Sequence, residues 1–139
     1  MVAAAALSGA QFGPGPWYMA LHKPAWTPPN WLFAPVWTAL YIAIAVAGWS
    51  LWRSKAISIT KPILIWLLQL ILNALWSWLF FGLHRPDLAL IDIIALLAAI
   101  CCFIATAHKA SQTAAWLFLP YALWVAIAAA LNLAIWRLN

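Results

Sequence analysis

The chain has 139 residues, 68% of them hydrophobic and only 6% charged, with seven Lys/Arg against two acids for a net charge of +5. That balance excludes a soluble globular domain, and basic residues scattered along the chain exclude a nucleic-acid groove, which needs them clustered on one face. An integral membrane protein remains, and apolar runs of about 20 residues, enough to cross a hydrocarbon core roughly 30 Å thick, recur between short charged clusters.

In chain order, the sequence predicts a single all-α transmembrane domain over residues 1–139, a five-helix up-down bundle. A first helix is expected over about 1–13. It is short or truncated, because "MVAAAALSGAQF" rises only about 18 Å as a helix, and with no basic n-region it does not read as a signal peptide. A loop over 14–30 follows, rich in proline. Full-length spans are expected over about 31–52, 62–83, 88–108 and 114–136. The links "RSKAISITK", "HRPD" and "KASQT" are short, which favours antiparallel neighbours. Arg53, Lys55, Lys61 and Lys109 then fall at one end and Lys23, Arg85 and Arg137 at the other, too even a division to set orientation by the positive-inside rule.

"WTPPNWLFAPVW", residues 26–37, breaks the helical pattern. Pro28 and Pro29 forbid helix and extend the residue before each, Asn30 is placed to cap the second helix, and irregular backbone at a membrane boundary is tolerable where it covers a cavity. The stretch reads as the rim of a pocket. Small residues recur every fourth position at Gly9 and Gly13, at Ala39, Ala43 and Ala47, and from Ala122 to Ala134, a spacing that lets helices approach closely in lipid.

Residues able to carry chemistry are few. Asp92, the one acid placed inside an expected span, reads as a carboxylate favoured by the start of its helix and by headgroup water. The alternative is a proton relay, since intramembrane acids are costly. His22, His84 and His108 fall at span ends and Cys101 and Cys102 are adjacent, so no metal site is expected and no cofactor is required. Gln69, Asn73, Trp76 and Ser77 share one helix face at spacings of three or four. Of the twelve tryptophans, Trp17, Trp26, Trp31, Trp52, Trp116 and Trp136 suit an aromatic belt at the interfaces. Trp37, Trp76, Trp78 and Trp124 lie deeper: Trp37 is about 9 Å inward from Trp31, Trp124 about 18 Å inward from Trp136, and Asn73 about 15 Å inward from Leu83. In an up-down order these depths converge, and Trp37, Asn73, Trp76 and Trp124 line one pocket open toward the long first link.

The strings "WYMALHKPAWTPPNWLFAPVWTALY" (17–41), "NALWSWLFF" (73–81) and "PYALW" through Leu131 and Asn132 resemble the tryptophan-rich sensory protein and translocator protein family, also called the peripheral-type benzodiazepine receptor family. The resemblance implies five transmembrane helices, a homodimer, a lipid-bilayer setting in a bacterial membrane, and a pocket for porphyrins such as protoporphyrin IX and for isoquinoline carboxamide or benzodiazepine ligands. Carried over by motif, the ligand-binding positions are Tyr18, Pro28, Trp37, Asn73, Trp76, Trp124, Ala128 and Leu131. Propionates would lie toward His22, Lys23 or Arg137. The family's members are described as tetrapyrrole sensors, regulators or transporters. Light-dependent porphyrin degradation is an alternative, with Trp37 and Trp124 as the catalytic candidates. A sterol role is less supported, since "LNLAIWR" has Trp136 where the sterol motif has tyrosine.

Overall fold

Prolines and one serine set several of the helix limits. Pro16 and Pro86 occupy first-turn positions, where a missing N–H costs nothing, and start α2 (Pro16–Ala20) and α5 (Pro86–Ala107). Pro29 sits at the N-cap of α3 (Asn30–Trp52). The Ser111 hydroxyl accepts from the Ala114 N–H and caps α6 (Gln112–Leu138). These elements come from a computed structural model that describes residues 2–11 and 15–139. The remaining two helices are α1 (Val2–Gln11) and α4 (Thr60–Ser77), the latter continuing as a π-helical turn over Trp78–Gly82.

Among the described residues, four helices are long and apolar enough to cross a membrane: α3, α4 with its π turn, α5 and α6. α1 has ten residues and rises about 15 Å. Among the described residues, the four expected full-length spans are present, and the short first helix packs beside α3 and α4. The ends of the expected first helix, Met1, Phe12 and Gly13, lie outside the described residues, as does Pro14 of the expected loop. That loop is not wholly irregular, since it carries α2. Asn30 does not cap α3. Its amide turns away and donates to the Met19 sulfur at 3.1 Å, and Pro29 takes the cap position.

Helix order in space departs from a simple meander. α5 packs on both α4 and α6, and α6 on α3, but α3 and α4 meet only locally because α1 packs against both of them. The link over 53–59 is short in sequence yet does not bring its two helices fully together. Where they do meet, Gly48 of α3 faces Trp66 of α4, and the indole Nε1 donates to the Ile44 carbonyl at 3.0 Å. A Cβ at Gly48 would lie 2.6 Å from Trp66 Cε2 and Cζ2. Gly48→Ala is therefore expected to force the hydrogen-bonded ring aside and cost about 1–3 kcal/mol. A thermal midpoint equal to that of the parent protein in the same detergent would contradict this.

The core lies where α3, α5 and α6 converge. Ile44, Leu51, Ile93, Leu96, Ile100, Phe103, Phe118 and Tyr121 are buried there, with Phe103 and Phe118 at 4.1 Å between ring centroids. Of the small-residue stripes, Ala47 is buried, whereas Ala126 and Ala130 face outward. Asp92 also departs from expectation. The first-turn acid of α5 is Asp87, paired with Arg85 at 2.6 Å. Asp92 lies more than a turn further in, is 6% exposed, and its Oδ2 has no partner.

Candidate functional site

Helical spacing builds most of the site from three elements, to which α1 and α2 add Val2, Ala3, Ala6 and Tyr18. Phe33, Trp37 and Tyr41 follow at intervals of four along α3. Trp76, Ser77, Phe80 and Phe81 come from the end of α4 and its π turn, where one extra residue per turn re-aims the aromatic side chains. Trp124, Ala128, Leu131, Asn132 and Ile135 run down one face of α6.

Two cavities result, and they share a wall. The inner one, about 30 Å³, is bordered by Tyr18, Phe33, Trp37, Trp76, Phe80, Phe81, Trp124, Ala128, Leu131, Asn132 and Ile135. Its surface is almost wholly apolar, yet two buried donors on residues that border it, the Tyr18 hydroxyl and the Trp124 Nε1, have no hydrogen-bond partner. Burial raises the Tyr18 phenol above its ordinary value of 10.0, so the group stays a donor at neutral pH. The outer cavity, about 630 Å³, lies between α1, α3 and α4 and is bordered by Val2, Ala3, Ala6, Asn30, Thr38, Tyr41, Ile42, Ala45 and Ser77. Phe33, Trp37, Trp76 and Phe81 border both cavities.

The aromatic wall is braced on both sides. Phe33 meets Trp124 edge-on at 5.7 Å, Trp37 leans on Tyr41 at 5.7 Å, and Trp76 stacks on Phe80 at 5.2 Å. The Trp76 indole donates to Asn132 Oδ1 at 3.0 Å, and Asn132 Nδ2 donates in turn to the Pro86 carbonyl at 2.7 Å. Behind the wall runs a chain of buried polar groups. Tyr41 Oη donates to Asn73 Oδ1 at 2.6 Å, Asn73 Nδ2 donates to Tyr121 Oη at 2.9 Å, and Tyr121 Oη donates to Gln69 Oε1 at 2.8 Å.

Six of the residues expected to bind ligand, Tyr18, Trp37, Trp76, Trp124, Ala128 and Leu131, border the inner cavity together. Asn73 borders neither cavity, because both ends of its amide are committed to the two tyrosines. Pro28 also borders neither: it is half-buried in the link, beyond a turn closed by Thr27 N–H and hydroxyl bonds to the Pro24 carbonyl. The groups expected to meet propionates are dispersed. Lys23 folds back, its Nζ donating to the Tyr18 and Leu21 carbonyls at 2.8 and 3.2 Å over the Tyr18 ring. His22 pairs through its backbone with the Asn139 side chain, and Arg137 is exposed in the last turn of α6. Among the described residues no group of His, Cys, Asp or Glu is placed to hold a metal ion.

Sequence reasoning missed Phe33, Tyr41, Phe81 and the α1 residues of the outer cavity. Phe33 and Tyr41 stand four residues either side of Trp37, a signal that was available. The α1 contribution had none, since nothing in a run of alanines states which helices it separates.

Fold and site together define a multi-pass helical membrane protein with aromatic-walled cavities inside its bundle. The chain belongs to the TspO/MBR family, whose profile matches residues 1–137. It is 44% identical over 123 residues to the tryptophan-rich protein TspO of Archaeoglobus fulgidus, covering 88% of this chain and 80% of the relative. It is 37% identical over 142 residues to protein CrtK of Rhodobacter capsulatus, covering 99% and 87%. The translocator protein of Sus scrofa is 37% identical over 127 residues, covering 88% and 75%.

Proposed function

We propose that this protein binds tetrapyrroles of the protoporphyrin type, with isoquinoline carboxamide and benzodiazepine compounds competing for the same space. The observation that carries this reading is the pair of cavities on either side of Phe33, Trp37, Trp76 and Phe81. A chamber of about 30 Å³ admits only a substituent, whereas about 630 Å³ suits the body of a flat macrocycle. Stacking on indole and phenyl faces supplies affinity without charge. The macrocycle lies in the outer cavity against Trp37 and Phe33. A carbonyl or carboxylate edge reaches the unpartnered Tyr18 and Trp124 donors, whose desolvation it relieves. Lys23, whose Nζ lies over the ring of the cavity-lining Tyr18, is the cation offered to a propionate. Relatives named translocator protein and tryptophan-rich sensory protein fit a role in moving or reporting such a ligand, with binding as the shared step.

The test is a titration of the detergent-solubilised protein with protoporphyrin IX, following tryptophan quenching and the porphyrin absorption band. A saturable one-to-one isotherm, displaced by an isoquinoline carboxamide, is expected. Quenching that grows linearly without saturation would overturn the proposal.

A further inference from the structure

The two ends of the bundle carry similar numbers of basic side chains, but at the α2 end two of the three, all but the exposed Arg137, are already engaged. At the α2 end, Lys23 is turned onto two backbone carbonyls and the Tyr18 ring. Arg85 is held by both oxygens of Asp87, at 2.9 and 2.6 Å. At the opposite end, where α3 and α5 finish and α4 and α6 start, stand Arg53, Lys55, Lys61 and Lys109. The Arg85–Asp87 pair is the only ion pair among the described residues, so these four cations have no carboxylate. Arg53 lies over the Trp49 ring at 5.0 Å, which orients a guanidinium without neutralising it.

The same end has the anatomy of a membrane boundary. Trp49, Trp52 and Trp116 are 60%, 71% and 69% exposed, the pattern of an aromatic belt at headgroup depth. Between Lys55 and Lys61, Ile57 is fully exposed at 107%, so the tip of the α3–α4 link presents an apolar side chain flanked by cations. The α4 N-terminus beside it has no side-chain cap, leaving free N–H groups within the same cluster.

From this juxtaposition we infer that the α3–α4 and α5–α6 end of the bundle is a docking surface for anionic phospholipid headgroups. Ile57 dips into the boundary between headgroups and acyl chains, while Arg53, Lys55, Lys61 and Lys109 receive the phosphates. A zwitterionic headgroup brings its own ammonium group into a cluster with no acid to receive it. An anionic headgroup does not, and basic clusters beside a membrane span draw such lipids electrostatically.

The test follows the thermal midpoint of the detergent-solubilised protein by near-ultraviolet circular dichroism while phosphatidylglycerol, phosphatidylcholine or inorganic phosphate is added. Phosphatidylglycerol is expected to raise the midpoint by on the order of 5 °C, with the rise reduced in high salt. Phosphatidylcholine and phosphate should leave it nearly unchanged. The variant Arg53→Gln/Lys55→Gln/Lys61→Gln/Lys109→Gln should lose the shift, and Arg85→Gln, at the other end, should keep it. If the fourfold variant does not fold, Lys55→Gln/Lys61→Gln alone should lose part of the shift. An equal rise with phosphatidylcholine, an equal rise with phosphate, or a shift retained in these variants would each overturn the inference.

Discussion

Replacing Tyr121 with phenylalanine is expected to cost the bundle about 1–3 kcal/mol, although the two side chains differ by one oxygen. Tyr121 Oη is the hinge of the buried polar chain, receiving Asn73 Nδ2 and donating to Gln69 Oε1. Gln69 Nε2 is already without a partner, so losing the hydroxyl would leave the Gln69 amide, fully buried at 0% exposure, with neither end satisfied. No water from the bilayer core replaces what is lost. The thermal midpoint of Tyr121→Phe against the parent in one detergent measures the effect. A change under about 0.5 kcal/mol would show that Asn73 and Gln69 find other partners.

Trp37→Ala is expected to act on binding. Trp37 borders both cavities and rests on Tyr41, so its removal merges the two spaces and takes away one of the two indole faces of the wall. Protoporphyrin affinity should fall by about 10- to 100-fold, equivalent to about 1.4–2.7 kcal/mol. Trp49→Ala, which removes an indole exposed on the outer surface, should alter affinity by no more than roughly two-fold. The comparison requires that both variants keep the parent near-ultraviolet spectrum. Equal losses from the two substitutions would mean that tryptophan content, and not this wall, governs uptake.

The spans were legible in the sequence because hydropathy is read one residue at a time. The expected 31–52 and 114–136 came within two residues of Asn30–Trp52 and Gln112–Leu138. The expected 62–83 missed the π turn, which depends on packing of Phe80 and Phe81 against Trp76 and Tyr18. Trp37, Trp76 and Trp124 meet at one cavity because helical rise sets depth, whereas Tyr18, Ala128 and Leu131, which join them there, came from the family resemblance. Asn73 shows where that arithmetic stops: its depth was legible, but depth does not say what an amide faces, and Tyr41 and Tyr121 claim it from two other helices. Asp92 was misjudged for a related reason. Its distance from the helix start depends on where Pro86 begins the helix, and its burial depends on the rotation of α5 against its neighbours.

The outer cavity has one further consequence. Its border includes Ala34, Thr38, Ile42 and Ala45, all exposed on the flank of α3 within a membrane span, so the cavity is in contact with the acyl-chain phase as well as with the α2 end. A hydrophobic ligand that dissolves in the bilayer reaches this protein at its concentration in lipid, which bears no fixed relation to the amount added to the buffer. Apparent dissociation constants will then rise in proportion to the lipid or detergent present. Affinities measured at different micelle concentrations become comparable only as mole fractions in the apolar phase.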